Sequence, residues 1–534
     1  MPSIQNLSTD KFSHRVRTLT GILFILLVIL LALKPLVLTI DSVYGFFAME
    51  GTLQTNQFNV LQDLSYADLR QVDLKFMAWW SPGQWMVPAL FSLLLHIPLG
   101  VSCIVVTVLA TVAGLIGYRL IFRFFGFDES TTALSVLVIL CSANLYINFF
   151  VYQGGEILSF AVFPWFVLYV ARLKSYNPAS FLFVFLLALA CFIAKTTMLV
   201  YCGAVVIWKI REQMDTEQSW SGRAKNLMGS RVYFLIAGVI LASGLGLWYI
   251  RNGLHPEFNF DTSIRPDDFL MPLASPIAGG FSIQQLIGRI ETIIGGPLSV
   301  LFHYLSYTLC IVILLWLLSR TGGKKNLRPY FRLIVYLFVF VGGFLILCYL
   351  GNTRVDHHSR HLKLVGFLLI PLIVQMARGW NKYLLRIFIA GYLLYTVAEI
   401  VYQSYQWPAN RYISDSYFYR NMHDASTADK VDPVTYRKIL AWDRWASQPG
   451  AARYLFIEGN ADLAIDTKSP TIFIINVAEF YNRPFLKSGP PIIAVASRQT
   501  LRSRPDFLHF KFPDYNKQVL VDQTEGFLFY RLDP

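Results

Sequence analysis

The chain has 534 residues, of which 55 % are hydrophobic, 15 % aromatic and only 15 % charged, with a mean hydropathy of +0.48. Soluble domains carry roughly 25 % charged residues, so this composition excludes a soluble globular protein and indicates a polytopic membrane protein with some extramembrane mass. The formal charge of +13 does not point to nucleic acid, because much of the Lys and Arg excess lies in short segments between apolar runs, as in cytoplasmic loops.

Residues 20–40 are apolar except for Lys34, long enough for a helix to cross the hydrocarbon core, which takes about 20 residues. Lys11, Arg15 and Arg17 precede them, so the N-terminus is expected in the cytoplasm. No small-residue cleavage site follows, and the segment reads as a retained helix. Asp41 and Ser42 come next, at the outer mouth of this first span, followed by Tyr44 and Glu50. A polar stretch ends at Ser81-Pro82-Gly83. The apolar segment Gln84 to His96 is too short to span and reads as an interfacial helix.

Further spans are expected at 100–121, 131–150 and 158–170, with Arg119, Arg123, Arg172 and Lys174 inside and Glu156 in a very short outer connection. Residues 179–210 carry inside-type charge at both ends. Two short spans resolve this, with an outer turn at Lys195-Thr196-Thr197. Each half would be roughly 23 Å long at 1.5 Å per residue, workable among other helices. The remaining spans are expected at 232–250, closed outside by Arg251, and at 298–318, 333–350, 362–376 and 383–402. A long outer loop with Arg265, Asp267, Asp268 and Arg289 precedes the eighth. The reading is a polytopic α-helical protein of about 11 transmembrane helices, with interfacial helices in the first outer loop, covering residues 1–403.

Residues 404–534 read as a small soluble α/β domain on the outer face. A helix is expected at Val434 to Ala446, and strands at Tyr454 to Glu458, Thr471 to Val477, Ile492 to Ala496 and Gly526 to Arg531. The six cysteines fall in or beside apolar runs, without metal-ligand spacing.

Charges at membrane boundaries are costly and are functional candidates. The outer acids near the membrane are Asp41, Glu50 and Glu156; the cations at span ends are Lys195, Arg251, Arg354, Arg360 and Lys363. Cations held outside run against the charge bias and point to a bound anion. Lys and Arg would grip a phosphate, and a nearby carboxylate would take a proton from an attacking hydroxyl. These parts suit sugar transfer from a lipid-linked phosphate. Plainer readings stand beside this one: Glu156 and Lys195 as a structural ion pair tying two turns, Arg251 as a snorkelling residue, and Trp79, Trp80 and Trp85 as interface anchors. His357 and His361 are four apart, which invites a metal, but a basic phosphate grip accounts better for Arg354 and Arg360. No cofactor is required, and a divalent metal is left open.

The layout resembles the glycosyltransferase C superfamily, integral membrane enzymes that include the aminoarabinose and protein O-mannosyltransferases. The resemblance covers residues 15–400. It rests on Asp41-Ser42-Val43-Tyr44 after the first span, on Trp79-Trp80-Ser81-Pro82-Gly83-Gln84-Trp85 before the interfacial helix, on Tyr152-Gln153-Gly154-Gly155-Glu156, and on Ala194-Lys195-Thr196-Thr197. It implies Asp41 as catalytic base, Glu156 as a second acid, and Lys195, Arg251, Arg354 and Arg360 as ligands of the donor phosphate. Tyr44, Glu50, His357 and His358 are candidate substrate contacts. Many members carry Asp-Glu where this chain has Asp41-Ser42, so the place of a second carboxylate stays open. The implied partners are a polyprenyl-phosphate-linked sugar, a lipid, glycan or protein acceptor, and the bilayer of a bacterial inner membrane; nucleic acid is not among them. An O-antigen polymerase or ligase is the rival enzyme reading, and a lipid or polysaccharide transporter the rival outside enzymes. Transporters show internal repeats and midplane charges, and neither is seen here.

Overall fold

The computed structural model describes residues 4–78, 80–174, 177–214, 232–251, 265–322, 325–351, 355–378, 382–406, 411–421, 431–448, 454–458, 461–468, 471–472, 483–487 and 489–534. Among these, eight helices are long and apolar enough to cross a membrane. The pair Glu129–Cys141 and Ala143–Phe149, bent by 60°, makes nine if counted as one span. The chain is an integral membrane protein. The helices Pro178–Ala194 and Met198–Met214 have 17 residues each and break at Lys195, as the charge pattern required. Neither passes as a candidate span by length and composition, so among the described residues that measure counts eight or nine.

Two expectations near the first and seventh spans are corrected. The first helix, Ile4–Leu33, stops before Pro35, which cannot donate a helical hydrogen bond. Residues Val37 and Leu38 pair in parallel with Val151 and Tyr152. Asp41 therefore lies in the first turn of a second helix, Ile40–Thr55, whose N-cap is Thr39. The long loop after the seventh span contains two helices. Asp267–Gly280 is largely buried despite Pro272 and Pro276, and Ile283–Ile294 is amphipathic. The first packs hard against Lys363–Ala377: a Cβ on Gly366 would lie 2.4 Å from the Pro276 carbonyl oxygen. Small residues allow such close backbone approach between helices.

In the first loop, the hairpin Val60–Leu64 and Val72–Phe76 leads to the helix Gly83–Leu95. Leu90, Leu93 and Leu94 of that helix are exposed, as an interfacial helix requires. The C-terminal region is built on a five-stranded sheet in the order Lys517–Gln523, Phe527–Asp533, Ile492–Ser497, Tyr454–Ile457, Thr471–Ile472. The strand Lys517–Gln523 adds to the expected ones; its charged and polar residues break the apolar pattern. Residues 473–477 of the expected Thr471–Val477 strand lie outside the described residues. Leu69 of the first loop is fully buried in the core of this sheet with Tyr454 and Phe485. The Tyr454 hydroxyl donates to the Leu69 carbonyl at 3.0 Å. The two regions thus share one core across the 403/404 boundary.

Candidate active site

A cavity of about 630 Å³ opens at the end of the bundle that carries Asp41. Helix starts surround it. Asp41 and Ser42 open the helix Ile40–Thr55, and Ser81 and Gln84 stand at the start of Gly83–Leu95. Gly154, Gly155 and Glu156 open Gly154–Arg172, while Thr196 and Thr197 precede Met198–Met214. A helix N-terminus bears about half a positive charge and unpaired amide hydrogens. Convergence of these ends makes the cavity favourable for an anion.

Glu156 is the electrostatic centre of one wall. Lys195 Nζ donates to one of its oxygens, and Lys363 Nζ lies 2.9 Å from the other. Lys363 is 2 % exposed and Lys195 is 20 % exposed. Two ammonium groups on one carboxylate leave a positive charge in excess, and the more accessible lysine lines the cavity. Arg360 lines it too and pairs with Asp356 at 3.0 Å. His361 Nε2 stands 2.8 Å from the other Asp356 oxygen. Burial alone would raise the Asp356 pKa, but the His361 hydrogen bond and the Arg360 charge hold it well below the usual carboxylate range. Asp356 is thus an ion-pair anchor.

Asp41 lines the cavity, and its backbone carbonyl accepts from Gln84 Nε2 at 3.2 Å. Gln84 is clasped by small residues: a Cβ on Gly45 would approach its Nε2 to 2.7 Å, and one on Gly154 its Cβ to 2.6 Å. The Ser42 hydroxyl donates to the Tyr152 carbonyl at 2.9 Å. Tyr44 stacks on Trp80, with ring centres 5.0 Å apart. Burial and then the Asp41 charge push its pKa up to about 12, so it stays a neutral donor.

The other sequence candidates are placed as follows. Arg251 is the exposed last residue of the helix Tyr233–Arg251; its neighbour Ile250 lines the cavity and Arg251 does not. Arg354 lies outside the described residues. Glu50 sits further along the Asp41 helix and does not line the cavity. His357 and His361 do not share a helical face, because His357 precedes the short turn Ser359–Leu362. His357 Nε2 pairs with Asp268 at 2.7 Å and its ring stacks on Tyr349. Among the described residues no three His, Cys, Asp or Glu side chains converge to hold a metal. His358 Nδ1 accepts from the Arg360 amide at 3.0 Å. Burial and the neighbouring Arg360 pull its pKa down to about 4, which keeps it neutral at pH 7.

Lys363, Asp356, Gln84 and Gln153 complete the arrangement. Lys363 was legible as a span-end cation. The glutamines carried no charge to mark them, though Gln84 lies in the run Trp79 to Trp85 and Gln153 in the run Tyr152 to Glu156.

No family model matches the chain, and no curated protein matches it by sequence. The solved structures that match it include two that do so through nearly its whole length. One is ArnT from Cupriavidus metallidurans bound to undecaprenyl phosphate, with a TM-score of 0.54 and 10 % identity, covering 96 % of this chain and 97 % of that one. The other is the same protein in the apo state, with a TM-score of 0.50, 10 % identity and the same coverage. The chain has the fold of ArnT, the architecture that its resemblance to the glycosyltransferase C superfamily implied.

Proposed function

We propose that this protein is a membrane glycosyltransferase that moves a sugar from a polyprenyl-phosphate donor to a glycan, lipid or protein acceptor on the outer face of a bacterial inner membrane. The observation that carries this reading is the shared cavity: Asp41 lines it together with Lys195 and Arg360, at helix N-termini, with Lys363 behind Glu156 adding positive charge to the wall. The fold likeness to a protein crystallised with undecaprenyl phosphate agrees with it. In this reading the bundle has eleven spans, the two 17-residue helices included, with the N-terminus inside and the C-terminal sheet outside.

The reaction is a direct displacement with inversion. The acceptor oxygen forms a bond to the anomeric carbon as the bond from that carbon to the phosphate oxygen breaks. Asp41 takes the acceptor proton. The electron pair leaves with the polyprenyl phosphate, whose charge Lys195, Arg360 and the helix ends stabilise. Glu156 positions the two lysines; with both oxygens engaged, it is not the base. Arg251, which follows the cavity-lining Ile250 in sequence, and Arg354, which precedes the cavity-lining Val355 in sequence, stay proposed contacts for a bound phosphate.

The test is turnover of purified protein with a panel of polyprenyl-phosphate sugars, read as released polyprenyl phosphate. Asp41→Asn keeps size and most hydrogen bonds but removes the proton acceptor. It is expected to lower turnover by roughly 10²- to 10⁴-fold with donor binding retained. Near-normal turnover in this variant would end the assignment of Asp41, and no release from any donor in wild-type protein would end the donor class.

A further inference from the structure

At the end of the bundle opposite the Asp41 cavity, three arginines meet on one acid. Arg17 belongs to the first helix, which runs on for about 24 Å to Leu33 at 1.5 Å per residue. Arg119 and Arg123 lie one turn apart near the end of the helix Leu99–Phe124. Glu129 stands in the first turn of Glu129–Cys141. One of its oxygens is 2.9 Å from Arg119 and 3.5 Å from Arg17, and the other is 3.1 Å from Arg123. The neighbouring acid, Asp128, is taken up by Arg378 at 2.6 Å. The Glu129 cluster therefore carries two positive charges in excess.

That excess is more than a structural tie calls for. One cation satisfies a carboxylate, and exposed ion pairs hold a fold together only weakly. All three arginines are about half exposed, and their mutual repulsion works against the cluster. A carboxylate offers about four acceptor positions, whereas each guanidinium carries five N–H donors in a fixed fork. The surplus of charge and of donors matches a phosphate, which guanidinium forks grip two hydrogens at a time. The surface directly beneath the charges is apolar. Leu19 and Ile22 follow Arg17 on its helix, Ile116 lies nearly one turn before Arg119, and all three are exposed. Both directions lead toward the membrane interior. A headgroup on the arginines therefore continues into acyl chains along these side chains, which a soluble anion would leave uncovered.

We infer that this face binds an anionic phospholipid, with its phosphate on Arg17, Arg119 and Arg123 and its acyl chains along Leu19, Ile22 and Ile116. In the topology proposed above it is a lipid of the cytoplasmic leaflet, where clustered cations attract such headgroups. The inference requires only that the chain lie in a bilayer, and it stands apart from the donor reading. The bound lipid bridges the first helix and the helix Leu99–Phe124, because its phosphate takes charge from both.

The experiment uses the full-length chain in vesicles of phosphatidylethanolamine with a minority of phosphatidylglycerol. The photo-crosslinker p-benzoylphenylalanine replaces Ile116 in one sample and Ile240, an exposed residue of the helix Tyr233–Arg251, in another. Captured lipids are identified by mass spectrometry. The ratio of phosphatidylglycerol to phosphatidylethanolamine among the adducts is expected to be roughly tenfold higher at Ile116 than at Ile240. Arg119→Gln combined with Arg123→Gln should bring the Ile116 ratio down to that of Ile240, while capture at Ile240 stays unchanged and shows the variant embedded and folded. Added salt should lower the Ile116 ratio in the otherwise unaltered chain, which reads the same attraction without any arginine variant. Soluble glycerol phosphate should leave the ratio as it is, since it lacks the chains. Equal ratios at the two positions, a ratio indifferent to both salt and the double variant, or one abolished by glycerol phosphate would overturn the inference; the last would mean a site for a soluble phosphate.

Discussion

Glu156 separates the structural charges from the chemical ones. Its carboxylate neutralises part of the charge on Lys363, which is almost wholly buried. Glu156→Gln leaves that lysine without its counter-ion, and breaking a buried pair in this way costs about 3–5 kcal/mol. A thermal or denaturant unfolding series should show that loss. Adding Lys363→Met to Glu156→Gln should recover much of it, because the orphaned charge is gone; a double variant as unstable as the single one would refute the buried-pair account. Asp41→Asn should leave stability near wild type. His358 supplies a pH signature. Its folded pKa, about 4, lies below the ordinary value of 6.5. A depressed pKa gives stability that is present above the unfolded value and lost as pH falls, because the unfolded state binds the proton first. Stability should therefore decline between about pH 6.5 and 4. His358→Gln should flatten that part of a melting-temperature profile, and an unchanged slope would show that His358 is not its source.

At the scale of elements, close helix contacts fix the cavity, and glycines permit them. Gly154 opens the helix that carries Glu156, and a Cβ there would lie 2.6 Å from the Gln84 Cβ and 2.8 Å from its Cα. Overpacking of this kind costs about 1–3 kcal/mol. Gly154→Ala should lower the melting temperature and turnover together, since it displaces both Gln84 and the Glu156 turn; a variant with wild-type values of both would mean that the clasp is loose. Much of this level was legible in the sequence. Inside-type charge at both ends of residues 179–210 forced a break at Lys195, and the structure has it there. The acids and cations at span ends marked Asp41, Glu156, Lys195 and Arg360 because charge is scarce in this chain. The helix Asp267–Gly280 was hidden, because Pro272 and Pro276 with small Ala, Ser and Gly residues imitate a loop and lower the hydropathy. Tertiary packing against Lys363–Ala377 makes it helical. Arg251 looked like its fellow cations in sequence, but charge alone does not tell which way the end of a helix faces.

The whole molecule is joined where the first loop enters the C-terminal core. Leu69 is fully buried there, and Lys511 stands 5.3 Å from the Tyr66 ring and 5.1 Å from the Phe485 ring. The C-terminal region reaches back in turn. Ile465 packs on the cluster that holds Val43, Tyr44 and Phe47 of the Asp41 helix. The Gly100 amide donates to the Ser416 carbonyl at 2.8 Å. No periodicity in residues 50–80 announces this docking, because a single leucine in a polar loop carries no pattern; its partner Tyr454 is 385 residues away in sequence. Removing the Leu69 side chain tests the connection. Leu69→Ala should destabilise the C-terminal sheet by about 2–5 kcal/mol, the usual cost of such a truncation in a packed core. Hydrogen exchange should then rise in the strands Tyr454–Ile457 and Ile492–Ser497, while the helix Gly154–Arg172 keeps its protection. Turnover should fall as the Asp41 helix loses the support of Ile465. Unchanged exchange in those strands would mean that the C-terminal sheet is stable by itself and that the loop merely rests on it.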